Sequence, residues 1–367
     1  MERRSGVRLL ALLATLALLV AACGEASGGT NDATGGGNEP TSNCENQTGG
    51  SSDPVVTLAA YSNVYDVYGK LVSGFQSQWK ETHDDQQVIF QTSFGGSTTQ
   101  AQNVVNGFPA DVVALSLIPD VELIEEAGLI TRDWQAVAED GIVASSAVVF
   151  DVRSGNPLGI DDWDDLAEPG VEILTPDPAQ SGGARWNIVA AYGAVMRGQV
   201  PGYEATPEDA QRLLTEIFRN VTVMDKSAND SIKNFQAGNG DVAITYEYAV
   251  LQAQAAGLED EMVIPPSTVA IETPVAVVDR NAEANCVLEV ADAFVEYLHS
   301  EDAKALFTTT GFERSTDISE AAQGDGERFP PIEDLFTTDD VGGWEQLETD
   351  VFGDAGAFTD ALAEAQG

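Results

Sequence analysis

The sequence predicts an α/β protein with two lobes, and three observations carry that prediction. Apolar runs with strand character alternate with stretches whose apolar residues recur at helical spacing. This β-α-β-α order favours a mainly parallel sheet. The order is interrupted once, by the long apolar run 143–152, and then starts again. Two strand-helix runs on either side of one long strand indicate two lobes.

The elements can be placed in order along the chain. In the first run we expect strands at 55–60, 88–92 and 110–115, with helices at 63–79, from Ser97, and at 121–127. In the second run we expect strands at 171–174, 221–224 and 241–246, with helices at 163–166, 183–197, 207–218 and 228–235. A strand at 275–278 and a helix at 287–298 complete one lobe, and an irregular acidic tail should follow.

Composition narrows the class of protein. The 367 residues are 43% hydrophobic, enough apolar surface to offset the ordering of a folded core, so a fully disordered chain is excluded. The net charge is -43, from 60 acidic and 17 basic residues, and such a surface repels nucleic-acid phosphates. General solubility or adaptation to high salt would each explain this acidity. A single uninterrupted apolar run excludes a polytopic membrane protein.

The first 53 residues have the pattern of an export signal followed by a tether. Arg3 and Arg4 precede the apolar run 9–20, which is too short to span a bilayer comfortably. The run VAACG at 20–24 resembles a bacterial lipobox, so we predict a signal peptide over 1–22 and a lipid on Cys23; an ordinary signal peptide is the alternative. Residues 23–53 are rich in Gly, Ser, Thr and Asn, which predicts a flexible tether. We therefore expect an extracytoplasmic protein anchored to the cell membrane.

Two cysteines remain after Cys23. Cys44 and Cys286 form an even pair in an exported chain, which permits a disulfide between them. Such a bond would pin the end of the tether to the globular body. Two unpaired thiols are the alternative, because sequence does not test the geometry that a disulfide requires.

Catalytic motifs are missing from the sequence. It has two histidines, His83 and His299, and none of the usual patterns for zinc hydrolases, serine hydrolases or nucleotide binding. The acidic run 161–165 suits the positive end of a helix better than a cation site. We therefore predict a protein that is not an enzyme and that uses no cofactor or metal.

Glycine-serine turns predict a site for an anion. One turn, 95–97, joins a strand to a helix, and a second, 181–183, does the same in the other lobe; Ser227 and Ala228 form a third candidate. The first N–H groups of a helix are unpaired and carry partial positive charge. Glycine lets a ligand approach them closely. Ordinary N-capping explains any single turn, but two turns in separate lobes favour a shared site in a cleft.

Further motifs accompany these turns: SGGARWN at 181–187, DWDDL at 162–166, ADVV at 110–113 and GGW at 342–344. Together they resemble the sulfate/thiosulfate-binding proteins of bacterial ABC importers over about residues 55–360. The resemblance implies a two-lobe type II periplasmic-binding-protein fold with two crossing hinge strands, expected near 143–152 and 243–248. Lobe 1 would then comprise residues 54–144 plus 248–367, and lobe 2 residues 145–247.

In that family a dianion is held by uncharged donors, and the resemblance assigns this role to seven residues: Ser62, Ser97, Ser181, Gly182, Gly183, Ala228 and Tyr246. The Ser97 hydroxyl and the Ala228 backbone are two of the implied donors. Three positions depart from the family, and one of them is Asn229, which stands where the family usually has an arginine. Tyr246 stands where the family has a tryptophan indole, and Ser62 where it has an aspartate that orients neighbouring donors.

The chemistry of these positions favours sulfate. Sulfate is fully ionised at neutral pH and needs donors, whereas phosphate keeps a proton and benefits from a carboxylate acceptor. No implied ligand is Asp or Glu, although Glu247 lies beside Tyr246. The resemblance implies a monomeric receptor that delivers sulfate or thiosulfate to the permease and ATPase subunits of an importer. Molybdate, tungstate or phosphate as the ligand, a secreted ester hydrolase, and an adhesion or sensor module remain alternatives.

Overall fold

The structure is a computed structural model that describes Cys44, residues 53–326 and residues 328–367. The predicted signal peptide (1–22), the predicted lipid site at Cys23 and most of the predicted tether (23–53) lie outside the described residues. Within the described ranges, no helix has both the length and the apolar character needed to cross a membrane.

The strands of the described residues form one connected sheet with the order β2-β1-β3-β9-β4-β7-β5-β6, with β10 beside β9 and β8 beside β4. Their bounds are β1 Val55–Tyr61, β2 Ile89–Gly95, β3 Val112–Ala114, β4 Ile142–Val152, β5 Ile173–Pro176, β6 Val221–Asp225, β7 Val242–Tyr246, β8 Glu261–Val263, β9 Ser267–Val277 and β10 Asp334–Phe336. Strands β2, β1 and β3 are parallel, and so are β7, β5 and β6. This is the mainly parallel sheet that the alternation predicts.

Helices cover the sheet and follow most of the parallel strands. They are α1 Tyr65–Thr82, α2 Ser97–Val105, α3 Ile118–Glu126, α4 Gly182–Met196, α5 Pro207–Asn220, α6 Ala228–Gln236, α7 Glu247–Ala255, α8 Asp279–Ala284, α9 Leu288–Leu298, α10 Glu301–Leu306, α11 Ile318–Gln323, α12 Gly343–Asp350 and α13 Ala357–Gln366. Short 3-10 turns lie at Ser62–Val64, Trp134–Ala136, Ala138–Gly141, Trp163–Ala167 and Thr338–Val341, and a π turn at Phe307–Gly311.

Two long antiparallel strands, β4 and β9, connect the lobes. The first half of β4 pairs with β9, from Ile142 opposite Pro274 to Ala147 opposite Ala270, and its second half pairs with β7. Strand β9 in turn continues to β3 of lobe 1. The prediction of two crossing strands is confirmed, and β4 is one of them. The expected second strand near 243–248 was wrong, because those residues form the end of β7 and the start of α7.

The chain after β9 is regular, so the expected irregular acidic tail was wrong. Much of it packs on lobe 2: α13 lies against α5, β10 pairs with the start of β9, and Arg185 of α4 forms an ion pair with Glu348 of α12. Strand β8 also pairs with the lobe 2 end of β4. We therefore propose to move the boundaries drawn above, by assigning 248–266 and 334–367 to lobe 2.

A disulfide joins Cys44 to Cys286, between α8 and α9. The two cysteines are 242 residues apart in sequence. The bond fixes the chain that precedes β1 to the body of lobe 1, at the place where the sequence permits such a link.

The packing of α4 generates a prediction about two helical glycines. A Cβ atom on Gly193 would lie 2.4 Å from Cζ of the buried Phe336 ring, whereas a Cβ on Gly69 of α1 would meet nothing within 4 Å. We expect Gly193→Ala to destabilise the protein by about 1–3 kcal/mol through overpacking. Gly69→Ala should instead stabilise it by about 0.5–1 kcal/mol through helix propensity. Urea denaturation of both variants measures the difference, and equal effects would contradict this account of the α4–β10 contact.

Candidate functional site

The predicted anion site lies where the parallel strands of both lobes end. Strands β1, β2 and β3 of lobe 1 and β5, β6 and β7 of lobe 2 each lead into a turn or helix at this place. In open α/β sheets, ligands bind beyond the carboxyl ends of the strands, because helix N-termini gather there. The turns line a small cavity of about 10 Å³, which is about the space that one water-sized group needs and far too little for a sugar or a peptide.

The cavity is lined by Tyr61, Ser62, Asn63, Gly95, Gly96, Ser97, Ser116, Ser181, Gly183, Ala228 and Tyr246. Six of the seven residues that the resemblance assigns to the ligand are in this set. The exception is Gly182, which begins α4 and packs against lobe 1, where its Cβ would lie 2.3 Å from Ser116 Oγ. The structure therefore brings together the two turns that the sequence analysis singled out, and their role as ligands stays a prediction.

Glycine is required where the two lobes meet. A Cβ on Gly96, in the lobe 1 turn, would lie 2.3 Å from the backbone oxygen of Gln180 in lobe 2. Nearby, Thr99 Oγ1 donates a hydrogen bond to the same oxygen at 3.2 Å. On the opposite wall, a Cβ on Gly183 would lie 3.2 Å from the Ala228 methyl group. Any side chain at Gly96 would push the lobes apart.

Three helix starts present unpaired donors to this cavity. The amide N–H groups of Ser97, Gly183 and Ala228 donate to no acceptor within the described part of the chain. They belong to the first turns of α2, α4 and α6, where a helix leaves its N–H groups unsatisfied and carries partial positive charge. The Tyr246 hydroxyl is also buried, and it lies near the Ser116 side chain without a hydrogen bond of regular geometry among the described residues. These groups form a donor set that lacks an acceptor.

The role of Ser97 differs from the expectation. Its hydroxyl donates to Asp120 Oδ2 at 2.5 Å and accepts from the Ser116 N–H at 3.0 Å, so it is not free to donate to a ligand. What Ser97 offers the cavity is its backbone N–H. Asp120 therefore orients the lobe 1 turn. The family resemblance assigns that task to the position of Ser62. Ser62 itself donates to Asn63 Oδ1 at 2.9 Å.

Sequence reasoning missed Tyr61, Asn63, Ser116 and Asp120. Tyr61 ends β1, Asn63 follows β1 and Ser116 follows β3, so only their place at the ends of parallel strands could have pointed to them. Asp120 lies in the first turn of α3, where an acidic residue is ordinarily a solvated partner of the helix dipole. Asp120 is 3% exposed and accepts hydrogen bonds from Ser97 and Thr98 of α2, more than 20 residues away, so its burial is invisible in the local sequence.

Among the described residues, none that lines the cavity has an ionised side chain. All of its lining residues are glycine, alanine, serine, asparagine or tyrosine. Burial raises the pKa of Tyr246 well above its usual value, so the hydroxyl keeps its proton and can donate. Glu247 points away from the cavity and pairs with Arg314. The arrangement can bind an anion through neutral dipoles in a site that the solvent scarcely reaches.

A larger groove of about 820 Å³ adjoins the cavity and shares Ser62, Asn63, Gly95 and Gly96 with it. Its wall includes Lys226 and Lys233, and neither lysine forms an ion pair with another described residue. Asp66 and Asp230 also line the groove, so its formal charge is balanced. In a chain of net charge -43, a neutral groove is a favourable approach for an anion.

Comparisons with known proteins agree with this geometry. Residues 56–313 match the family model described as bacterial extracellular solute-binding protein. The sulfate-binding protein of Synechococcus elongatus is 39% identical over 97% of this chain and 95% of its own length. The thiosulfate-binding protein of Escherichia coli is 30% identical over 83% and 90%. The solved structure titled the sulfate-binding protein SubI from Mycobacterium tuberculosis superposes with a TM-score of 0.71, at 32% identity over 82% of this chain and 99% of that one.

The fold is thus the two-lobe type II periplasmic-binding-protein fold that the resemblance implies, with β4 and β9 as its crossing strands. The chain belongs to the family of bacterial extracellular solute-binding proteins that includes the sulfate- and thiosulfate-binding proteins. These relatives are named as binding proteins rather than enzymes.

Asp120 generates a prediction about pH. Burial raises its pKa from 3.8 to about 6, although hydrogen bonds from Ser97 and Thr98 oppose the rise. The folded protein thus holds this proton more tightly than the unfolded chain, so the resulting stability is complete below about pH 4 and is lost as pH rises through 6. Asp120→Asn stays neutral, and its stability relative to wild type should increase by up to about 3 kcal/mol between pH 4 and pH 7. Denaturation at both pH values tests this, and a pH-independent difference would contradict it.

Proposed function

We propose that this protein is an extracytoplasmic receptor that captures sulfate, or the related thiosulfate, and delivers it to an ABC importer. The observation that carries the proposal is the cavity between the lobes, which offers donors and no ionised side chain. The relatives named for sulfate and thiosulfate binding point to the same ligands. Thiosulfate is kept as a candidate because one of these relatives is named for it.

Neutral donors can hold a doubly charged ligand when enough of them converge. A hydrogen bond to a charged group contributes about 1.5–3 kcal/mol net. About five to seven such bonds, helped by three helix dipoles, would offset desolvation and leave micromolar or tighter affinity. The donors come from both lobes, so ligand contacts favour the closed state. No lysine or arginine needs to touch the anion, which is how an acidic protein can bind it.

The protonation state of the ligand favours sulfate over phosphate. A protonated oxyanion donates a hydrogen bond and needs an acceptor, yet the cavity wall has no carboxylate. The nearest buried carboxyl, Asp120, already accepts from the hydroxyls of Ser97 and Thr98. A fully ionised tetrahedron therefore matches the wall better than hydrogen phosphate does.

The site of action follows from the family and the N-terminal sequence. Members of this family are described as extracellular, and the run at 20–24 favours a lipid anchor on Cys23. Delivery would then take place at the outer surface of the membrane, to the permease and ATPase subunits of an importer. We propose that the receptor acts as a monomer, since the cavity is complete within one chain.

Calorimetry with the purified protein tests the ligand. We expect micromolar or tighter binding of sulfate or thiosulfate, and at least tenfold weaker binding of phosphate. Molybdate and tungstate are titrated in the same series, because they are also tetrahedral dianions. Preferential binding of phosphate would contradict a site that offers only hydrogen-bond donors. No binding of any tetrahedral oxyanion would refute the proposed function.

A substitution at Gly183 should abolish binding. Gly183→Asp adds bulk beside Ala228, where a Cβ already has only 3.2 Å, and places a negative charge among the donors. We expect the sulfate affinity to fall by more than 100-fold. Gly69→Asp is the matched control, since it adds the same charge on the exposed face of α1 with nothing within 4 Å. Retained affinity in the Gly183 variant would refute the assignment of the site.

The groove lysines should speed the arrival of the anion. We expect the double variant Lys226→Gln, Lys233→Gln to bind sulfate several-fold more slowly at low ionic strength, with little change in the dissociation rate. The deficit should shrink as salt screens the field. Stopped-flow fluorescence compares it with Lys70→Gln, Lys80→Gln, which removes the same charge from α1, outside the groove. Equal slowing in both double variants would show an effect of net charge alone.

A further inference from the structure

The corner between β7 and α7 holds three consecutive buried residues with different surroundings. Tyr246 ends β7 and lines the anion cavity, Glu247 begins α7 with no exposure, and Tyr248 lines the adjoining groove. The rings of Tyr246 and Tyr248 meet edge to face, with centroids 5.4 Å apart. Tyr246 occupies the N-cap position of α7, yet no side chain caps this helix. The corner must therefore be held by other contacts.

Arg314 supplies those contacts. Its Nε donates to Glu247 Oε2 at 2.5 Å and its Nη2 donates to Glu247 Oε1 at 2.7 Å, which is the two-pronged geometry that suits guanidinium and carboxylate. Nη1 donates to the backbone oxygen of Ala321, and Nη2 donates in addition to the backbone oxygen of Pro330 at 2.7 Å. Exposure is 1% for the arginine side chain and 0% for the glutamate side chain. Among the ion pairs of the described residues, this is the one with both partners fully buried.

The same arginine is attached to the crossing strand. Its backbone N–H donates to the Ser145 oxygen in β4 at 2.7 Å. Its guanidinium also lies 5.4 Å from the centroid of the Phe329 ring. Arg314 thus connects three parts of the molecule: the hinge strand, the corner that carries Tyr246, and the segment from Ala321 to Pro330.

Stability alone is a weak reason to bury such a pair. Removing two charges from water costs about as much as their attraction returns, and well-packed apolar residues often serve as well. A buried pair does, however, fix one geometry, since each partner is costly to leave unmatched. Here the pair also fixes the position of Tyr246, because Tyr246 immediately precedes Glu247.

We propose that the Glu247–Arg314 pair is the positioning device of the anion site, holding the β7–α7 corner so that the Tyr246 hydroxyl faces the cavity. The inference rests on the proposed function, because the ligand that Tyr246 meets there is the oxyanion. Neither Glu247 nor Arg314 touches the ligand. The two residues fix the position of the Tyr246 hydroxyl. The bond from Arg314 to Ser145 couples that position to the hinge strand β4.

The test replaces the pair with apolar residues of similar size. In Glu247→Leu, Arg314→Met we expect the melting temperature to stay within a few degrees of wild type and the sulfate Kd to rise at least tenfold. The matched control is Arg197→Met, Asp334→Leu, which removes another two-pronged pair at 2.8 and 2.5 Å that does not line the cavity. The control should bind as wild type. A pair variant that folds and keeps the wild-type Kd would overturn the proposal.

A second readout separates positioning from general support. Tyr246→Phe alone should raise the sulfate Kd about tenfold, because it removes a donor. In the apolar pair variant the same change should add less than twofold, since the hydroxyl is already misplaced. A full tenfold loss in both backgrounds would show that the pair does not act through Tyr246. If the apolar pair does not fold, Glu247→Gln replaces it, with an expected three- to tenfold rise in Kd and an unchanged Kd counting against the proposal.

Failure of the proposed function can be told apart from failure of this inference. If wild-type protein binds no tetrahedral oxyanion, the proposed function fails, and the crystal structure of the apolar pair variant then decides. A Tyr246 ring displaced from the cavity supports the positioning role, and a ring in its original place refutes it.

Discussion

The structure depends on one constraint: two backbone turns from different lobes must approach almost to contact, with nothing between them but a small polar cavity. That approach exists because glycine stands at two contacts between the lobes. A Cβ on Gly96 would collide with the Gln180 oxygen and one on Gly182 with Ser116, while within lobe 2 a Cβ on Gly183 would press on Ala228. The converging helix starts then supply donors that the protein itself does not satisfy. Both the lobe contact and the anion chemistry follow from these glycines.

The acidic composition becomes compatible with anion binding once the positions of the charges are considered. Several of the few basic residues are occupied by internal partners, as Arg185 is by Glu348 and Arg314 by Glu247. Asp120 lies one hydroxyl away from the cavity, with Ser97 between. Around the cavity the electric field thus comes from backbone and hydroxyl dipoles. Its effect is short-ranged and depends on hydrogen-bond geometry. The large negative net charge acts at the outer surface, where salt weakens it.

Sequence patterns predicted those parts of the molecule whose structure is determined by residues close together in the chain. The alternation of strands and helices, the long strand β4 and the two glycine-serine turns each depend on neighbouring residues. Only the end of β9 was predicted, as a strand at 275–278, because Ser267, Thr268 and Glu272 are not typical of a buried strand. Pairing with β4 and β10 makes the first half of β9 a strand as well. The C-terminal helices were missed for the same reason: α13 packs against α5, and Trp344 of α12 packs against Trp186 of α4, both far away in sequence.

The candidate site likewise has features that the sequence predicted and features that it did not. Glycines and serines at helix starts were recognisable, because the demand for small residues is a local one. The hydroxyl of Ser97 was given the wrong partner, since its bond to Asp120 spans 23 residues of sequence. Ser116 and Asn63 carry no motif at all and reach the cavity through the order of the strands in the sheet. Long-range contacts of this kind have no signature in one sequence.

The link between Cys44 and Cys286 has a mechanical consequence. It joins the amino-terminal chain to the α8–α9 connection, and β1 enters the same lobe a few residues later. A force applied to the chain before Cys44 is therefore borne by lobe 1 and does not pass through the crossing strands. Lobe 1 is thus the half of the molecule that the amino-terminal chain holds directly, and lobe 2 is connected to that chain through lobe 1.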